Sequence, residues 1–435
     1  MQFVSTRNNK DKVSFSKAIV QPVPKDGGMY APAYEENLRP WILHMDDNTP
    51  FNSIAGSLTS ALLKDEFSPI ISETIATKAF PFSPVLSQID KNLFVLELYH
   101  GPTGSHKDFG VSFLASCLEH ILIMQDKKAT VLAVTNGETG ACLAHAFKNK
   151  TRLQAILLYT KGSMRGIKDS DCIWNGGNLY PVEVNGTEED CFRTAREIYA
   201  DQDLIQRYNL TLANSLNIGR LLPQTFFYTY AFTRLKKLVH SDIYYALAAG
   251  NYGNLVAGLY SWKFSLPVNG FITDSSASLF ADAQGKCTIL DSVIPLNKRG
   301  PSDPVNPSNI ERLEEVFFAN PAVIRGLVYP SMVNPKEIEK SFQDFYIKYK
   351  QIIDPSTASA WAAAKKRSDV IEADEGAVVL LARNHPSLQA KTIKQWCGET
   401  IVMPDSIKEL YEPFSPKKTI DAERNAVVNI LHELS

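Results

Sequence analysis

Residues 93–122 read LFVLELYHGPTGSHKDFGVSFLASCLEHIL, and the fold turns on how that stretch is read. Residues 93–98 form a short apolar run centred on Val95 and bounded by Gly101 and Pro102, the pattern of a buried strand that ends in a loop. A helix follows, because Phe109, Phe113, Leu114, Cys117, Leu118, Ile121 and Leu122 recur on one helical face. Lys107 stands at the join. The unpaired N–H groups of a helix's first turn favour anions, so a lysine there is electrostatically misplaced. That placement marks Lys107 as a candidate nucleophilic amine.

Working outward, strand and helix alternate regularly from Thr130. Residues 130–134, 155–159 and 179–184 read as strands, residues 141–148 as a helix, and 135–140 as the turn between the first strand and that helix. Short apolar strands alternating with helices argue an α/β protein with a parallel sheet covered on both faces. The turn Thr135-Asn136-Gly137-Glu138-Thr139-Gly140 therefore offers free N–H groups to a carboxylate or phosphate. A second such turn, Gly250-Asn251-Tyr252-Gly253-Asn254, follows the apolar residues 243–247. Residues 243–262 carry no charge and have the length of a membrane span, but two glycines and two asparagines in the middle are expensive in lipid. They read as strand, turn and helix.

Composition excludes several classes. At 435 residues, 44% hydrophobic and 21% charged, with a net charge of -2, the chain has an ordinary globular balance. Nothing in it suggests nucleic acid or an anionic membrane as a partner. Six cysteines without a Cys-x-x-Cys pair read as reduced thiols of a cytoplasmic protein, and residues 1–12 lack the apolar core of a signal peptide. No His-Glu-x-x-His spacing points to a metal. Residues 298–309, rich in Pro, Ser and Asn, read as a long loop.

The string His100-Gly101-Pro102-Thr103 followed by Lys107-Asp108-Phe109 resembles the cofactor-lysine segment of threonine synthases, with Gly104, Ser105 and His106 in place of Leu-Ala-Phe. Ser5-Thr6-Arg7 and Asp26-Gly27-Gly28 resemble the family's opening, read here as a packing arm without chemistry. Residues 135–140 are similar to its substrate loop, Thr-Ser-Gly-Asp-Thr-Gly, and residues 250–254 to its phosphate loop, Gly-Asn-Phe-Gly-Asn. Asn214-Ser215-Leu216-Asn217, running on to Arg220, resembles its Asn-Ser-Ile-Asn-x-x-Arg string. Arg383 stands where the family has a Thr at the pyridine nitrogen, and Leu388 replaces a Lys.

The resemblance implies two open doubly wound α/β domains of the tryptophan synthase β-like, fold type II, pyridoxal-phosphate enzymes. The expected division is 1–90 as an N-terminal arm and helical region, 91–235 as a smaller domain, and 236–435 as a larger one. It implies pyridoxal 5'-phosphate held by Lys107 as a Schiff base, with Gly250, Asn251, Tyr252, Gly253, Asn254 and Arg383 also on the cofactor. Thr135, Asn136, Gly137, Glu138, Thr139, Asn214, Ser215 and Arg220 would meet the substrate. The implied reaction turns O-phosphohomoserine and water into threonine and phosphate, in a cytoplasmic monomer or homodimer. Two other readings stay open on the same scaffold: a lyase that releases a 2-oxo acid and ammonia, and a binding protein without turnover.

Overall fold

The computed structural model describes residues 1–135, 137–289, 294–319, 321–373 and 375–434. Two sheets organise the chain. One has six strands in the order Val328–Ser331, Gly270–Asp274, Ile243–Leu247, Ala377–Ala382, Leu93–Glu97 and Val85–Asp90. Its pairs are parallel except the last, where Val85–Asp90 runs antiparallel to its neighbour. The other has five parallel strands in the order Thr419–Asp421, Leu179–Asn185, Leu153–Thr160, Ala129–Val134 and Leu210–Thr211. The inner strands Ile243–Leu247 and Ala377–Ala382 are buried at every position, as helices on both faces of a parallel sheet require.

The sheets cross the boundaries expected from the sequence. Leu93–Glu97 hydrogen-bonds to Ala377–Ala382, nearly three hundred residues later, and so belongs with the six strands rather than with 91–235. Thr419–Asp421 pairs with Leu179–Asn185, away from the rest of 236–435. Strand pairing across such separations leaves no local mark in a sequence. As expected, residues 243–262 divide into the strand Ile243–Leu247, a turn and the helix Gly253–Lys263. Among the described residues no helix is long and apolar enough to cross a membrane.

The helix Lys107–Met124 lies at the centre. An apolar stripe on one face predicts one buried face, but Asp108 through Leu118 are all buried, because Gly110, Ser112, Ala115 and Ser116 are small enough for neighbours to close over the other faces. Phe109, two residues beyond Lys107, is gripped by the rings of Phe51, Phe80, Phe82 and Phe227 at centroid distances of 5.3, 6.0, 5.0 and 6.0 Å. Aromatic pairs at this spacing add to simple burial and fix the start of the helix, and with it Lys107. The N-terminal arm packs as expected. Thr6 and Arg7 bind the Glu311 carboxylate, and Arg7 also donates to the Gly300 carbonyl at 2.7 Å.

Candidate active site

A cleft of about 250 Å³ opens where the chain leaves the strands Ala129–Val134, Leu210–Thr211 and Ile243–Leu247. Those are carboxyl ends of parallel strands, where open α/β sheets hold ligands. Its wall gathers Lys107, Thr135, Thr139, Ser215, Arg220 and Asn251, with Asn214 beside them. Glu138 reaches the wall through Lys107. Gly137, Gly250, Tyr252, Gly253, Asn254 and Arg383 stand outside that wall, and Asn136 lies outside the described residues.

Lys107 Nζ donates to Glu138 Oε2 at 2.6 Å, and both side chains are largely covered, 26% and 30% exposed. The carboxylate supplies the negative charge that the helix start denies the lysine. Asp108, next in the chain, is buried and accepts from the Thr103 N–H at 2.9 Å and the Thr103 hydroxyl at 2.8 Å. Burial pushes its carboxyl up to about 6. His106 is held well below the ordinary imidazole range by burial and then by the charges of Arg383, Lys107 and Arg220, so its ring is neutral at pH 7.

The first turn differs from the expectation of a free loop. The helix starts at Glu138, not at 141, and runs to Phe147. Thr135 is the reason: its hydroxyl oxygen accepts the N–H groups of Gly137 at 3.0 Å and Gly140 at 2.8 Å. Gly137 caps the helix at φ 113°, a conformation in which a side chain would be strained. Two of the N–H groups expected to face a ligand are therefore spent inside the turn.

Residues 214–220 divide into structural and open groups. Asn217 is fully buried and gives its amide to the Ile19 and Leu212 carbonyls. Asn214, expected on a phosphate, gives both amide protons to the Pro304 and Val305 carbonyls at 2.7 and 3.2 Å. Arg220 donates to the Ala213 carbonyl at 2.8 Å and faces the cleft, and among the described residues no carboxylate lies within 4 Å of it. Burial lowers its pKa from the ordinary guanidinium value. Gly110 of the lysine helix lets Arg220 come this close, since a Cβ there would stand 2.6 Å from the Arg220 carbonyl oxygen.

The second turn is tied down on several sides. Tyr252 adopts φ 65° and its hydroxyl meets that of Ser276. Asn254 gives its amide to Gln224 at 2.8 Å. Gly250 sits at φ 50° with Arg383 Nη1 only 2.9 Å from where its Cβ would be. The Arg383 guanidinium thus lies against the opening of the glycine turn.

Residues 298–309 read from the sequence as a long loop, with no part in the site. Val305, Asn306 and Pro307 roof the cleft, and Asp303 anchors that roof to Arg196 at 2.9 Å. Asn309 and Arg312 are completely buried. Arg312 donates to the carbonyls of Tyr30, Ser215 and Leu216 and to Asn309 Oδ1, at 2.6 to 2.8 Å. The one available signal was an arginine on the apolar face of the amphipathic helix Ile310–Ala319. Cys117, Cys142, Cys172, Cys191 and Cys287 are free and buried, and Cys397 is free and half-buried. Among the described residues no three His, Cys, Asp or Glu side chains gather as metal ligands would.

Comparison with known proteins fits this geometry. A family model described as pyridoxal-phosphate dependent enzyme matches residues 71–382, and one described as threonine synthase N terminus matches residues 2–80. The chain is 28% identical to a threonine synthase of Haemophilus influenzae over 412 residues and 27% identical to that of Escherichia coli over 417. Each match covers 94% of both chains. A pyridoxal-phosphate-bound threonine synthase from Brucella melitensis superposes with a TM-score of 0.82 at 21% identity, over 100% of this chain and 99% of that one.

Proposed function

Because this chain belongs to the pyridoxal-phosphate dependent enzymes, we propose that it is a threonine synthase, turning O-phosphohomoserine and water into threonine and phosphate. The observation that carries the reading is a primary amine, Lys107, in a cleft that also holds an arginine without a carboxylate. The donor set suits pyridoxal phosphate. Lys107 would hold its aldehyde, while the bare backbone at Gly250 and the Arg383 guanidinium against it would hold its phosphate. When bound, the cofactor supplies the electron sink that stabilises negative charge at the substrate carbons.

The protein's own groups do the rest. Lys107 Nζ takes the Cα proton of the substrate and carries protons at the later carbons, and Glu138, 2.6 Å away, holds the amine in place. Arg220 and Ser215 receive the phosphate that leaves from Cγ, the arginine through its planar fork. Thr139 and the turn around it face the α-carboxylate. Residues 305–307 line the cleft and limit solvent beside these groups, and water adds at Cβ. The reading places the enzyme in the cytoplasm, as a monomer or homodimer acting on a small amino acid and not on nucleic acid.

The test is to load the protein with pyridoxal phosphate, add O-phosphohomoserine, and quantify phosphate and the carbon product together. Equal amounts of phosphate and threonine are expected. Phosphate with 2-oxobutyrate would make the protein a lyase instead, and no phosphate at all would overturn both readings that start from O-phosphohomoserine, leaving a hydroxyamino-acid lyase, another amino-acid substrate or a binding protein.

A further inference from the structure

Ser215 is held in a way that decides what it can bind. Its hydroxyl oxygen accepts from Asn251 Nδ2 at 2.9 Å and from Asn309 Nδ2 at 3.0 Å. Both amides are turned that way by groups that can only donate. Arg312 carries no acceptor and points at Asn309 at 2.7 Å, so the atom it meets is the carbonyl oxygen and the NH₂ group faces Ser215. The Gly253 N–H meets Asn251 Oδ1 at 3.2 Å and fixes that amide in the same sense.

A serine oxygen has two acceptor positions and one proton. With both positions filled, the proton has to be given away. Among the described residues it has no acceptor in the protein, and Ser215 lines the cleft. We infer that Asn309, oriented by Arg312, is a positioning residue that makes Ser215 an obligate hydrogen-bond donor into the cleft and thereby selects ligands presenting an acceptor oxygen, such as those of phosphate. The inference rests on the proposed reading of the cleft as a phosphate site. Asn309 also ties two anion-facing segments together, since its backbone N–H and its amide both reach the Asn251 carbonyl, at 3.0 and 3.2 Å.

The test is a double-mutant cycle on the cofactor-loaded enzyme, with inorganic phosphate as the titrant and the KM for O-phosphohomoserine alongside. Asn309→Asp keeps the shape and places a carboxylate on Arg312, so the fold holds, as an unchanged melting midpoint will show. It replaces a donor by an acceptor, and the Ser215 proton turns inward to meet it. Its added charge also repels phosphate directly, which the cycle subtracts. The expected cost to phosphate affinity is about 100-fold in the Ser215 enzyme but only about tenfold in the Ser215→Ala enzyme, with KM rising more than kcat falls.

Equal cost in both backgrounds overturns the inference, as does a wild-type enzyme that binds no phosphate. Should Asn309→Asp not fold, Asn309→Ala completes the same cycle with a smaller but still Ser215-dependent loss. Failure of the functional reading shows elsewhere, in a wild-type enzyme that binds phosphate yet releases none from O-phosphohomoserine.

Discussion

Two arginines from different segments bond to carbonyls of the same stretch, residues 213–216, in different circumstances. Arg312 is sealed from solvent and gives hydrogen bonds to three backbone carbonyls and one amide oxygen. Arg220 gives one, to the Ala213 carbonyl, and turns the rest of its fork to the cleft. Neither has a carboxylate within 4 Å among the described residues. Each guanidinium carries five N–H donors, so counting acceptors separates them. The one with four of its five donors engaged is a strut. The one left short is complete only when an anion arrives.

Breaking the pair apart should therefore give opposite phenotypes. The largest effect is expected for Arg312→Ala, which strips four buried acceptors of their donor and should cost on the order of 3–5 kcal/mol of stability, read from urea unfolding. Arg220→Ala should leave the unfolding midpoint almost unmoved and raise the KM for O-phosphohomoserine about 100-fold, the worth of a charge-assisted contact to phosphate. If the two variants lose stability alike, the distinction between strut and ligand group fails.

A buried acid sharpens the contrast at a smaller scale. Asp108 is held by Thr103, among the described residues it forms no ion pair, and its carboxyl is raised to about 6 by burial. A raised acid binds its proton more tightly in the folded chain than in the unfolded one, so the folded chain is favoured below about pH 4 and loses that advantage as pH climbs to about 6. Relative to Asp108→Asn, the native protein should lose about 2–3 kcal/mol across that window and stay level above it. Denaturant titrations of both proteins at stepped pH test this. A parallel pH dependence in the two would assign the slope to other carboxylates.

Much of this arrangement was legible in the residues themselves. Strand-turn-helix grammar located Lys107, the two turns and the strand hidden in residues 243–262, because periodicity and glycine placement are local properties. What escaped was set by contacts across the chain. Thr135 recruits the N–H groups of its own turn and starts a helix three residues early. Asn214 looks like a ligand group in sequence, but Pro304 and Val305 claim its amide. Asn309 reads as one more loop asparagine, and only the approach of Ser215 and Asn251 from other segments gives it work.

The five-stranded sheet carries one more consequence, for the order in which the protein can be made. Its edge strand, Thr419–Asp421, and the helix Arg424–Glu433, whose Val427, Ile430 and Leu431 pack with Leu132, Ile156 and Val182, come from residues far beyond its other strands. The six-stranded sheet likewise waits for Ala377–Ala382 before Leu93–Glu97 has its partner. A ribosome that has translated residues 1–235 has therefore released neither unit in finished form. The nascent chain carries open sheet edges until late in synthesis, which is when chaperones that shield such edges have most to do.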